Sequence, residues 1–320
     1  MTTLSGSADE GAGQPAGAAL LRARGVAKHY GRVQALRGVD FTVRPGEVVA
    51  LIGDNGAGKS TLVKILSGAV APDSGEILLD GAPVQLTSPL AAQRLGIETV
   101  YQDLALANDL DPAANLFLGR EVLRPGPLRW LGVLDNRAMR RQSRDSFAEL
   151  GIGLQDVSAR LGSLSGGQRQ SVAVARAVSW ASRVVFMDEP TAALGVVQTR
   201  RVLDLIRRVR DRGVSVVLIS HNMPEVLAVS DRVEVLRLGR RVAQIETAGA
   251  TVERLVGAMT GALDADGAAE NGPGDPTGGP VGGDRESGVD SRGTGAAGGA
   301  TGGEAGSGGP ESDVDSGGPS

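Results

Sequence analysis

From Leu20 to Val26 apolar and polar residues alternate, and a period of two returns around Val39 to Val43. Successive side chains on a strand point to opposite faces, so both runs predict half-buried strands. Tyr30-Gly31-Arg32 between them is a turn signal and makes the pair antiparallel. Gly46 to Ile52 is nearly all apolar, which predicts a short strand buried on both faces of a parallel sheet, and Thr61 to Leu66 continues as a helix. Gly75 to Leu79 predicts a strand, Pro89 to Leu95 a helix and Ile97 to Tyr101 a strand. Between about Leu104 and Trp180 the pattern turns helical. One helix starts at Asp111-Pro112, a charged amphipathic one covers Asn136 to Leu150, and a third covers Gly166 to Ser179. The α/β rhythm then resumes with strand Val184 to Met187, helix Val196 to Arg212, strands Val214 to Ser220 and Arg232 to Leu238, and a closing helix over Thr251 to Met259.

This order predicts an α/β fold with an antiparallel β subdomain and a helical subdomain at about 104–180. At 41% apolar residues the 320-residue chain can bury a substantial core. Residues 263–320 are different: no aromatic, 19 Gly, and 11 acidic residues against 2 Arg. Such a segment cannot bury enough apolar surface to offset its chain entropy, so it is expected to be a disordered tail. The chain's net charge of −4 belongs to that tail, and the preceding residues are net positive. Residues 1–20 lack a basic start and an apolar stretch, and are expected to be a flexible lead rather than a signal peptide. The domain expected between them covers residues 21–262. With no Cys, disulfides, thiolate metal sites and thiol catalysis are excluded. No run approaches 18 apolar residues, so any transport role requires separate membrane subunits.

Gly53-Asp54-Asn55-Gly56-Ala57-Gly58-Lys59-Ser60-Thr61 satisfies the phosphate-loop pattern, between a predicted strand and a predicted helix. Backbone N–H groups of such a loop turn inward around phosphates, and the helix N-terminus behind it carries about half a positive charge. The pattern assigns Lys59 to the β- and γ-phosphates of a nucleotide and Ser60 to Mg²⁺. Asp188 ends an apolar strand at the sheet edge where α/β ligands bind, and Glu189 follows it. Adjacent carboxylates divide the labour: Asp188 holds Mg²⁺, and Glu189 polarises the attacking water. Leu164-Ser165-Gly166-Gly167-Gln168 starts a helix with a Ser cap and two small residues, a second anion-binding N-terminus.

In this order, with Gln102 and His221, the motifs resemble the nucleotide-binding subunit of an ATP-binding-cassette (ABC) transporter. The resemblance covers about residues 21–262 and implies an ABC-type P-loop NTPase cassette that hydrolyses ATP with Mg²⁺. It implies that Ser165, Gly166, Gly167 and Gln168 reach across a homodimer to the nucleotide of the partner copy. It further implies that His221 contacts the γ-phosphate and orients Glu189, that Gln102 joins Mg²⁺ to the membrane-facing loop, and that Tyr30 stacks on adenine. One departure is Ala192-Ala193-Leu194-Gly195, where many members carry Ser-Ala-Leu-Asp.

The runs Gly96 to Gln102, Phe117 to Glu121, Asp188 to Val196 and His221 to Pro224 are similar to single-cassette ATP-binding subunits of monosaccharide importers, the fructose-import type in particular. That resemblance implies a peripheral protein on the cytoplasmic face of the cell membrane. Its partners are an integral-membrane sugar permease and, indirectly, an extracytoplasmic sugar-binding protein. An importer ATPase for another small solute is an alternative reading. A soluble ABC protein is another; it would carry coiled-coil inserts, a second cassette or a strongly basic patch for nucleic acid, and none is present.

Overall fold

A computed structural model describes residues 19–262 apart from 155 and 193, so the expected lead before residue 19 and the acidic tail lie outside the described residues. In chain order the elements are β1 (Leu21–Tyr30), β2 (Val33–Val43), β3 (Val48–Ile52), α1 (Lys59–Leu66), β4 (Ser74–Leu79), β5 (Ala82–Pro83), α2 (Pro89–Arg94) and β6 (Ile97–Val100). They continue with α3 (Pro112–Leu116), α4 (Asn136–Glu149), α5 (Gly166–Trp180), β7 (Val184–Asp188), α6 (Val196–Asp211), β8 (Ser215–Ile219), α7 (Met223–Val229), β9 (Arg232–Arg237), β10 (Arg240–Glu246) and α8 (Val252–Thr260).

Two sheets form. The antiparallel one has the order β2-β1-β4-β5, and the other runs β10-β9-β3-β8-β7-β6 with only β10 antiparallel to its neighbour. Strand β3 is all apolar, β7 is apolar up to Asp188 and β8 is apolar after Ser215, because both faces of the second sheet are covered. Val48, Val185, Met187, Val216 and Leu218 join the cluster built on α5 and α6. Their neighbours Val49, Leu51, Val184, Phe186, Val217 and Ile219 join the cluster shared with α1 and the antiparallel sheet. Burying each such side chain stabilises the fold by roughly 1.5–3 kcal/mol relative to exposure.

Register decides where the strands end. Leu51 of β3 and Asp188 of β7 both pair with Ile219 of β8, while Val100 of β6 pairs with Met187 of β7. The C-terminal ends of four parallel strands therefore finish at nearly one level, and the segments that follow them share one edge of the sheet.

At the opposite end of the sheet a buried ion network ties the layers together. Arg232, 1% exposed, donates through Nη2 to Glu47 (2.8 Å) and to the Thr42 carbonyl (2.6 Å), and through Nη1 to Glu234. Burial opposes the charge on Arg232, but its bonds to Glu47 and Glu234 more than offset that and its pKa is raised. Burial also pushes the Glu234 carboxyl up, against the pull of Arg232 and Arg241.

Among the described residues of the helical stretch, buried side chains of α3, α4 and α5 share one hydrophobic cluster with the second sheet. Asp111 does cap α3 as expected, accepting from Ala114 N–H at 2.7 Å, with Pro112 at the first helical position. Strands β5 and β10 and helix α7 were not expected.

Candidate nucleotide site

Behind β3 the chain folds back on itself so tightly that two of its glycines are dictated by sterics. Gly53 has φ +150°, and a Cβ there would lie 2.1 Å from the Leu236 carbonyl oxygen. Gly58 has φ +105°, and a Cβ would come within 2.7 Å of Ala35 O and Leu36 Cδ2. Gly58 is also the N-cap of α1, and no side chain caps that helix. The positive end of α1 is thus left for an external anion.

Lys59 lies over this loop and donates to the carbonyls of Gly53 (2.6 Å) and Asp54 (3.1 Å). Burial lowers the pKa of its ammonium, against the opposing pull of Glu189, Asp54 and Asp188. Burial and the neighbouring Glu189 raise the pKa of Asp188, more than Lys59 and Lys64 lower it. A lysine and a carboxylate both displaced against their charges mark a site tuned by desolvation.

An open cleft of about 550 Å³ gathers Asn55, Gly56, Ala57, Gly58, Lys59, Ser60, Thr61, Gln102, Asp188 and Glu189. Ser60, Gln102 and Asp188 offer a hydroxyl, an amide and a carboxylate, a hard-oxygen set that fits Mg²⁺ shared with phosphates. Among the described residues there is no group of three or more His, Cys, Asp or Glu placed to hold a metal ion. Gly53 and Asp54 are not in the wall and act through their carbonyls on Lys59. Tyr30 is half-exposed at the end of β1 and does not line the cleft, whose wall on that side is Val33, Gln34 and Ala35 of β2.

Glu189 has φ +48°, a left-handed conformation that non-glycine residues adopt rarely. Its N–H donates to the Ile219 carbonyl at 2.9 Å, which pins the residue beyond β7 to the end of β8. His221 lies beyond that end, and its Nδ1 is 3.1 Å from Glu189 Oε1. The expected Glu189–His221 pair is therefore assembled by the two strand ends.

Beside it lies a contact the sequence reading missed. Glu225 accepts from Thr191 Oγ1 at 2.5 Å and from Asn222 Nδ2 at 2.7 Å. One carboxylate thus bridges the loop carrying Glu189 to the loop carrying His221. Asn222 followed by Pro224 and Glu225 is a helix-start signal that would have placed Glu225 at the beginning of α7.

Ser165 caps α5 in a reciprocal box: its hydroxyl accepts from Gln168 N–H, and Gln168 Oε1 accepts from Ser165 N–H at 2.9 Å. The Gln168 side chain is thereby committed to the cap. Ser165, Gly167 and Gln168 line a second cavity, of about 560 Å³, with Gln198, Arg201 and Arg208. The phosphate-loop cleft has none of the four signature residues in its wall.

Such a loop, with paired carboxylates at the end of a parallel strand of the same sheet, defines a P-loop nucleotide-binding cassette. The family model described as ABC transporter matches residues 36–192. The fructose import ATP-binding protein FrcA of Rhizobium meliloti is 55% identical over 76% of this chain and 94% of its own length. A xylose/arabinose import ATP-binding protein of Sulfolobus acidocaldarius is 45% identical over 75% of this chain and 94% of itself. A ribose import ATP-binding protein of Rubrobacter xylanophilus is 47% identical over 76% of this chain, which spans 47% of that longer relative. A nucleotide-free ATP-binding cassette from an ABC transporter shares the fold at TM-score 0.65 and 24% identity, over 76% of this chain and 95% of that one. The chain belongs to the ABC transporter ATP-binding family.

Proposed function

We propose that the chain is the ATP-hydrolysing subunit of a monosaccharide ABC importer, with residues 21–262 as its cassette. The observation that carries the reading is the convergence of Lys59, Ser60, Asp188 and Glu189 on one cleft, with His221 held against Glu189. The import assignment draws on the fructose import relative, which this chain matches over nearly its whole length.

The phosphate loop and the N-terminus of α1 receive the ATP phosphates. Lys59 exchanges its bonds to the Gly53 and Asp54 carbonyls for the β- and γ-phosphate oxygens. Ser60, Gln102 and Asp188 would hold Mg²⁺, which would neutralise charge on the phosphates. Glu189 orients and polarises a water for in-line attack on the γ-phosphorus, with ADP leaving and inorganic phosphate released. His221 fixes the Glu189 carboxylate and reaches the same phosphate. Tyr30 supports the adenine.

The separate cavity lined by Ser165, Gly167 and Gln168 supports a homodimer with two composite sites, in which a second copy brings its Ser165, Gly166, Gly167 and Gln168 to the nucleotide. No helix among the described residues is long and apolar enough to cross a membrane, so passage of the sugar belongs to a separate integral-membrane permease. The cassette then sits at the cytoplasmic membrane face, and an extracytoplasmic binding protein delivers the sugar.

The experiment is Glu189→Gln in the permease complex. Hydrolysis should fall about 10²–10⁴-fold while Mg-ATP binding persists and the dimer accumulates. Hydrolysis near the parental rate would remove Glu189 as the base, and a chain that copurifies with no permease would remove the import reading.

A further inference from the structure

Between α3 and α4 the chain forms a small hairpin. Asp135 N–H donates to the Val122 carbonyl at 2.7 Å, Arg124 N–H donates to the Val133 carbonyl at 2.8 Å, and Leu123 pairs with Leu134 in an antiparallel bridge. The base is anchored by Asp135, which caps α4 by accepting from Ala138 N–H at 3.0 Å. A 3-10 turn over Gly126–Arg129 closes the tip, flanked by Pro125 and carrying Pro127 within it. The hairpin is thus stiffened by backbone bonds and two prolines.

Its side chains point the wrong way for a solvated loop. Trp130 is 94% exposed and Leu131 76%, with Leu123 and Leu134 also exposed. The contrast is Trp180, whose indole N–H donates to the Leu116 carbonyl and whose ring packs edge-on to Phe117 with Arg120 over it. Exposed apolar residues gathered at one tip mark an interaction site, whereas scattered ones do not.

Charge identifies the partner. Residues 122–134 contain Arg124 and Arg129 and no acidic residue. Both arginines are exposed, and neither has an ion-pair partner among the described residues. A protein partner would have to supply a pocket for a protruding indole and carboxylates for two guanidiniums. A bilayer with anionic headgroups supplies both at once: tryptophan settles at the interface, leucines enter the acyl boundary, and arginines meet phosphates.

We infer that the tip at Arg124–Leu131 is a membrane-surface anchor that inserts Trp130 and Leu131 into an anionic lipid interface. It works alongside any permease contact and is independent of the solute carried.

The full chain is mixed with phosphatidylcholine vesicles with and without phosphatidylglycerol, in the absence of permease, and binding is followed by flotation and tryptophan emission. Binding should require phosphatidylglycerol, weaken as salt rises, and shift the emission to shorter wavelength. The shift should vanish in Trp130→Phe, because Trp130 and Trp180 are the only tryptophans. Trp130→Ala with Leu131→Ala should abolish flotation, and Arg124→Gln with Arg129→Gln should weaken it roughly 30-fold, about 5-fold per arginine. ATPase activity and circular dichroism of these variants should match the parent. Flotation equal for parent and the Trp130, Leu131 double variant would overturn the proposal. So would absence of vesicle binding combined with loss of permease copurification in the same variant, which would make the tip a protein-docking site.

Discussion

Removing the Glu225 carboxylate should slow hydrolysis without weakening nucleotide binding. In Glu225→Ala the Thr191 hydroxyl and the Asn222 amide lose their shared acceptor. Water can replace it for Asn222, which is exposed, but hardly for Thr191, which is 8% exposed. The loss is therefore dominated by one hydrogen bond to a charged group, about 1.5–3 kcal/mol. Thr191 and Asn222 lie close in sequence to Glu189 and His221, so slack between the two loops misplaces Glu189, the general base proposed above. Converted into rate, that energy is about 10–100-fold in kcat. KM for ATP should stay within about 2-fold, because Lys59 and the phosphate loop are untouched. Glu225→Gln is the decisive control. Its amide oxygen can accept from Asn222 while its NH₂ donates to Thr191, so it should recover most of the rate. The assay is permease-stimulated phosphate release against ATP concentration, with Tm measured alongside. An unchanged kcat in Glu225→Ala, or a Gln variant as slow as the Ala variant, would refute the bridge.

Three further outcomes are expected. Lys59→Ala should reduce Mg-ATP affinity sharply in a fluorescent-analogue titration while circular dichroism of the free protein stays unchanged. Arg232→Ala should cost about 3–5 kcal/mol in denaturant melts, because it takes from the buried Glu47 and Glu234 their closest and only buried cation, leaving the more distant Arg44 and Arg241. The Asp73 carboxyl, held at about 2 by its bonds to Lys28 and to the His29 N–H, is depressed below its unfolded value of 3.8. Its contribution is present above the unfolded pKa and lost as pH falls through the folded one, so Asp73→Asn should lower Tm at neutral pH and converge with the parent near pH 2.

The site was legible where local chemistry and chain pattern coincide. An all-apolar strand followed by Gly53 to Thr61 specifies β3, the loop and α1 together, and the apolar runs ending at Asp188 and Ser220 place both strand ends. What escaped the pattern depends on tertiary context. Strand β10 (Arg240–Glu246) is largely exposed and charged, and is defined by its antiparallel pairing with β9. Helix α7 is only seven residues long, and its start signal was overlooked. Tyr30 was assigned by resemblance, since its half-exposed place at the end of β1 carries no local signal for adenine. The Glu225 bridge joins residues far apart in the chain, which no local motif encodes.

Because Leu51 and Asp188 both meet Ile219, the sheet behaves as a ruler with its working marks at one end. One residue inserted within β8 would advance His221 by about 3.3 Å and exchange the two faces of the strand, ruining the chemistry and the core in a single step. An insertion at the opposite edge moves no mark. Arg212-Gly213, the exposed turn from α6 into β8, lies at that edge with Gly213 at φ +83°. A reporter domain spliced there would ride on the cassette while leaving every strand end in place, which gives a practical handle for testing whether two copies close on ATP as proposed.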